Sequence, residues 1–163
     1  MGVSGAGKST VGARLAAALD VDYADGDDFH PAANIEKMTA GIALTTDDRA
    51  PWLDAIATWL ADHRKPGGVV SCSALERGYR DRLRKAVARA FFVHLDADRD
   101  ELDRRMSARR GHFMPTALLD SQLDALQPLA ADENGVTVDA TRAPGELVRT
   151  VIAVVRDPKA AGR

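Results

Sequence analysis

The chain has one cysteine, Cys72, so no disulfide can form within it, which suits a reducing compartment. No apolar run approaches the ~20 residues that a membrane-spanning helix needs. No leader pattern stands before the first charged residues, and a cytoplasmic location is the default expectation. The net charge is only −2, so no basic field argues for nucleic acid as a partner. There is no internal repeat and no low-complexity tract. His30 and His112 lack a second ligand at i+3 or i+4, and Cys72 stands alone, which disfavours a zinc site. The stretch "VVSCSAL" ends in serines where a motor ATPase often has an acid, and a second large domain is absent. What remains is an ordinary balance of 45% hydrophobic and 28% charged residues over 163 positions, enough for one domain with a real core.

The first nine residues carry the strongest signal. Gly2, Val3, Ser4, Gly5, Ala6, Gly7, Lys8 and Ser9 fit G-x-x-x-x-G-K-[ST], the phosphate-binding P-loop. Glycines let the backbone turn N–H groups toward one anion. Lys8 supplies a flexible charge for the β- and γ-phosphates, and Ser9 a hydroxyl for Mg²⁺. The pattern from Ser9 and Thr10 to Leu19 predicts a helix pointing its N-terminus at the phosphates. Such a loop normally follows a strand. None precedes it here, and a shortened N-terminus is the expectation.

Further along, "VDYADGD" reads as a strand ending in acids, and Pro31 opens a short helix to Thr39. Thr46 or Asp47 can cap a helix with Trp52, Ile56, Trp59 and Leu60 on its inner face. "VVSCS", continuous rather than alternating, reads as a buried strand. Helix Arg77–Arg89, strand "AFFVHL", a helix capped by Asp98 through Arg109, helix Ala117–Leu126, strand "GVTVDA" and a helix opened by Pro144 follow. Strand–helix alternation predicts an α/β fold, a parallel sheet with helices on both faces.

Asp25 and Asp27, two apart at the carboxyl end of a strand beside the P-loop, face the ligand crevice. One could hold a Mg²⁺ water and the other accept a substrate hydroxyl proton. Arg105 and Arg109 share one helix face, and guanidinium groups suit the charge spread over a transferring phosphoryl. The arm "RRGHFMP" could close over the phosphates. Arg49 and Arg80 sit on the crevice side as candidates for an anionic substrate; the bland alternatives are a helix-start charge and a surface ion pair with Asp81 or Asp48.

The runs "MGVSGAGKST", "DGDDFHPAANIEKMTAGIALTTDDRAPWL", "CSALERGYRDRLR" and "RRGHFMPTALLDSQLDALQPL" together resemble the gluconate kinases of the P-loop kinase superfamily. The resemblance spans almost the whole chain. It implies a three-layer, shikimate-kinase-like core with a small helical lid over roughly 105–127, Mg²⁺-dependent transfer of phosphate from ATP to the 6-hydroxyl of D-gluconate, and a homodimer. It implies Asp27 as the base and Lys8, Arg105 and Arg109 on the ATP phosphates, with Ser9 and Asp25 toward the metal. His30, Arg49, Arg80, His112 and Gln122 would line the sugar-acid site, with Arg49 or Arg80 on its carboxylate. Thr141, Arg142 and Pro144 would lie near adenine. Two residues depart from the family pattern: Glu76 stands where a Lys is usual, and Thr46 replaces one acid of a triplet that keeps Asp47 and Asp48. The competing readings are a related kinase for another small hydroxylated acid such as shikimate, a nucleoside-monophosphate kinase, a nucleotide-binding module without acceptor activity, and an inactive paralogue.

Overall fold

A computed structural model describes residues 1–108 and 116–156. Its strands form two parallel pairs. β1 (Asp22–Asp25) runs beside β2 (Gly68–Ser71), with Tyr23 opposite Val69; β3 (Phe92–Asp96) runs beside β4 (Gly135–Asp139), with His94 opposite Thr137. Met1 and Gly2 stand between the pairs: Gly2 N–H donates to Ser73 O at 3.1 Å, and Leu95 N–H donates to Met1 O at 2.9 Å.

Seven helices accompany the strands among the described residues: α1 (Lys8–Leu19), α2 (Ala32–Thr39), α3 (Thr46–Asp62), α4 (Arg77–Ala86), α5 (Arg99–Ala108), α6 (Thr116–Ala125) and α7 (Pro144–Arg156). They form two apolar layers. Val11 and Leu15 of α1 pack with Leu102 of α5 and Val148 and Val151 of α7, against Val69, Leu95 and Val138. Trp52, Leu53 and Ile56 of α3 pack with Tyr79 and Leu83 of α4, against Val70 and Phe92. Neighbouring strand residues therefore serve opposite faces, Val69 one and Val70 the other, as the period of a pleated strand requires. Both faces are covered, which is why "VVSCS" is apolar without alternation. The α/β layering expected from the sequence is the architecture found.

Element ends follow local chemistry. Asp20 closes α1 in the left-handed region, φ 55°. Thr45, one residue before the expected cap, opens α3 with a capping box: its hydroxyl accepts from Asp48 N–H, and the Asp48 carboxylate accepts from Thr45 N–H. The Asp98 carboxylate accepts from Glu101 N–H at 2.9 Å and so starts α5. Trp52 is buried as expected, whereas Trp59 is half-exposed and stacks on His63, ring centroids 3.8 Å apart.

Candidate active site

The P-loop turns into α1 at Gly7, whose φ of +93° is a conformation that L side chains rarely adopt. No side chain caps this helix start. The N–H groups of Ser9 and Thr10, in the first turn, therefore point out of the helix end rather than to a carbonyl within it. A Cβ at Gly7 would lie 3.8 Å from Nη1 of Arg105, so the cradle is lined on that side by a guanidinium. Lys8 Nζ donates to Val3 O at 3.0 Å, folding the ammonium back over the loop.

Arg105 ties three segments. Its Nε donates to Glu101 at 2.5 Å, its Nη1 to Ala6 O of the P-loop at 3.4 Å, and its Nη2 to Ala140 O at 2.6 Å. Ala140 begins the turn holding Thr141, Arg142 and Pro144. That turn is fixed by the Asp139 carboxylate, which accepts from both N–H and Oγ1 of Thr141. The residues assigned to phosphates and to adenine thus share one side of the molecule.

Asp25 links this side to the opposite one. The 3₁₀ turn Gly26–Phe29 begins on Asp25, whose carboxylate accepts from Asp27 N–H at 3.1 Å and from the Tyr23 hydroxyl at 3.2 Å. The Tyr23 hydroxyl also meets Ser71 Oγ at 2.9 Å. Partial burial disfavours the Asp25 charge, but hydrogen bonds from Ser9, Asp27 N–H, Ser71 and Tyr23 outweigh it and hold the carboxyl below its usual range. The Ser9 hydroxyl, on the other residue expected at the metal, is thus among the groups that lower the Asp25 pKa. The turn can lie this close to β2 only because residue 26 is glycine: a Cβ there would stand 2.3 Å from Ser71 O. Trp52 Nε1 secures the same turn by donating to Gly26 O at 2.7 Å.

Asp27 is exposed on this turn. His30 stacks on Trp52, centroids 4.5 Å apart and rings 7° from parallel, with Nδ1 3.3 Å from Asn34 Nδ2. Burial keeps the His30 imidazole below its ordinary pKa; Asp27 opposes that shift and Arg49 adds to it. Arg49 lies over the Tyr79 ring, 5.7 Å from its centroid, with Nε donating to Leu44 O. The buried Asn34 is held by Asp48 O at 2.8 Å, and Lys37 pairs with Asp48 at 2.7 Å, so α2 is anchored to the start of α3. Asp27 and Arg49 thus both act on the His30 imidazole, and Arg49 and Glu76 both act on the Tyr79 phenol, so these residues form one neighbourhood.

One expectation needs correction. Arg80 does not face an acceptor site. It is fully buried, and all five N–H groups are committed: Nε and Nη2 to Glu133 at 2.8 Å each, and the others to the carbonyls of Ala74, Leu75, Gln127 and Pro128. A guanidinium with no N–H left over cannot take a sugar-acid carboxylate. Nor does it pair with Asp81 or Asp48; its partner is Glu133, 53 positions away. Gln122 turns to the P-loop, its Oε1 accepting from Ser4 N–H at 2.7 Å. Arg109 and His112 lie outside the described residues. Sequence reasoning missed Tyr23, Ser71 and Glu133, whose partners lie far along the chain.

A P-loop, an arginine on the P-loop backbone and an acid-bearing turn that begins at Asp25 are the features of a small-molecule kinase of the P-loop class. The family model described as shikimate kinase matches residues 4–156. The thermosensitive gluconokinase of Escherichia coli (strain K12) is 46% identical over 138 residues, 83% of this chain and 74% of that protein. A solved, unliganded sugar kinase from Janibacter sp. HTCC2649 superposes with a TM-score of 0.91 at 39% identity, covering 100% of this chain and 96% of that one. A solved gluconokinase from Sinorhizobium meliloti 1021 gives 0.85 at 44% identity, covering 96% and 89%. The chain belongs to the gluconokinase family, and it is an ATP-dependent kinase of gluconate by that membership.

Proposed function

We propose that this chain transfers the γ-phosphoryl of ATP in line to the 6-hydroxyl of D-gluconate, with the nucleotide on the P-loop side and the sugar acid between Asp27, His30 and Arg49. The observation that carries this reading is the Asp25 carboxylate, which caps the turn bearing Asp27 and is held below its usual pKa in part by the Ser9 hydroxyl of the P-loop. Asp27, exposed and two residues on, is placed to take the proton as the hydroxyl oxygen attacks phosphorus. Arg49 pairs with the sugar-acid carboxylate, which directs the far hydroxyl toward the phosphate. Lys8 and Arg105 stabilise charge on the transferring group. Mg²⁺ would supply positive charge to offset that of the phosphates, and Ser9 and Asp25 are the residues that would hold it. A small helical lid over roughly 105–127 is part of the reading by family membership. A homodimer is part of it by family membership, and sedimentation at micromolar concentration tests that.

Asp27→Asn is expected to lower kcat by ~10²–10⁴ while ATP still binds. Arg49→Ala is expected to raise the gluconate KM well beyond any change for ATP. Steady-state kinetics with a separate nucleotide-binding titration decide both. Undiminished turnover in the first variant, or equal KM changes in the second, would remove the assigned role.

A further inference from the structure

The transfer reaction leaves one polar cluster at the end of β1 without a task. Tyr23 and Asp25 stand two apart on β1 and so share a face, and Ser71 is paired with Asp25 across the ladder. The Tyr23 hydroxyl donates to Asp25 Oδ2 at 3.2 Å and meets Ser71 Oγ at 2.9 Å. Each hydroxyl carries one proton, and an ionised carboxylate only accepts. The Tyr23 proton therefore goes to Asp25, and the Ser71 hydroxyl donates to the Tyr23 oxygen. Asp27 N–H takes the other carboxylate oxygen, Oδ1, at 3.1 Å. A carboxylate can accept about four hydrogen bonds, so Asp25 keeps capacity for a further partner. The Tyr23 ring is itself wedged against α1: a Cβ at Gly12 would come 2.9 Å from Tyr23 Cε2 and 3.6 Å from Ser71 Cβ. Glycine inside a helix is destabilising, and here it makes room for the ring. Gly12 lies three positions after Ser9, on the same side of α1.

We propose that Tyr23 is a positioning residue for phosphoryl transfer: backed by Ser71, its hydroxyl fixes the orientation of the Asp25 carboxylate for the divalent cation that accompanies ATP. That role rests on the proposed place of Asp25 at the same cation. The terminal torsion of an aspartate is broad and soft, so a lone carboxylate samples many orientations. Two donors, one on the sheet and one on the 3₁₀ turn, restrict it. Both are neutral, so they orient the carboxylate without cancelling its charge, whereas a lysine or arginine in their place would compete with the cation. Packing against Gly12 needs only the aromatic ring of residue 23; the hydroxyl is an additional requirement, and Asp25 is what it serves. Ser71 acts in turn through Tyr23, by holding the phenol hydrogen on the side of Asp25.

The test titrates Mn²⁺, a paramagnetic substitute for Mg²⁺, into protein saturated with a non-hydrolysable ATP analogue, and reads the free ion by electron paramagnetic resonance. The parent chain is compared with Tyr23→Phe, Ser71→Ala, the double variant and Asp25→Asn. Tyr23→Phe keeps the ring against Gly12 and is expected to weaken Mn²⁺ binding roughly tenfold, with metal-free affinity for the analogue unchanged. Ser71→Ala should act in the same direction by less. The double variant should be no weaker than Tyr23→Phe alone, because Ser71 works through the phenol. The Mg²⁺ concentration for half-maximal turnover should rise in parallel while the gluconate KM stays put. Unchanged Mn²⁺ affinity in Tyr23→Phe, with Asp25→Asn impaired, would overturn the proposal alone. Normal Mn²⁺ binding by Asp25→Asn would overturn the place of Asp25 at the cation, and the proposal with it. A Tyr23→Phe chain that loses metal-free nucleotide affinity and thermal stability along with the ion would show a purely structural role, and would also overturn it.

Discussion

At the scale of single residues, charge alone does not reveal which arginines work at the surface and which hold the interior. Arg105 and Arg80 both occur in basic helical runs. Arg105 reaches the P-loop carbonyl of Ala6, while Arg80 is enclosed with Glu133 and clamps four carbonyls. One of those carbonyls belongs to Ala74, a non-glycine residue at φ 40°. The Arg80 hydrogen bonds hold Glu133 far below the usual carboxylate range, at about 2. The folded pKa is thus below the unfolded one, so this contribution is full above pH 4.5 and fades as pH falls toward 2. Glu133→Gln leaves a buried guanidinium without its counter-charge and is expected to cost roughly 3–5 kcal/mol at pH 7. The gap from the parent chain should narrow at pH 3, as measured by urea unfolding. A constant gap across that range would mean that Glu133 acts through packing rather than charge. The pair was not legible in the sequence because its members come from α4 and from the loop before β4, and only the tertiary fold brings them together.

At the scale of elements, most of the architecture was written in local chemistry. The P-loop, the strand–helix alternation and the Asp98 cap follow from spacing and residue type, and each lies where the pattern predicts. Asp25 and Asp27 were recognisable as a pair from their i, i+2 spacing after a strand. The 3₁₀ turn between them was not. It depends on Gly26 meeting Ser71 across the sheet, a contact 45 positions distant that no local window contains. The place of Gln122 on α6 was legible as well, but its hydrogen bond from Ser4 N–H, 118 positions away, was not. The start of α3 offers a clean test of element-level stability. Thr45→Ala removes the hydroxyl from the capping box and is expected to cost about 1 kcal/mol. Asp48 keeps its bond to Lys37, so turnover per folded molecule should be unchanged. Thermal unfolding and active-site-normalised kinetics measure the two. A comparable fall in turnover would show that the cap also sets the acceptor mouth through Asn34 and Arg49.

At the scale of the whole molecule, the two apolar layers and the paired strands bring the P-loop, the Asp25 turn and the Ala140 turn to one end of the sheet. Arg105 ties the P-loop to the Ala140 turn, and Trp52 secures the turn that begins at Asp25. A crevice of this kind, at the carboxyl ends of parallel strands, is where such folds bind ligands. The account's central claim is that the acceptor seated there is a sugar acid whose terminal hydroxyl receives the phosphate. The most direct measurement is ADP release with Mg²⁺ and ATP, run in parallel with gluconate, shikimate and AMP, and with mass analysis of the phosphorylated product. The account predicts release stimulated by gluconate, with 6-phosphogluconate formed and the other two acceptors inert. Preferential phosphorylation of shikimate or AMP, or tight ATP binding with no stimulation by any acceptor, would contradict it.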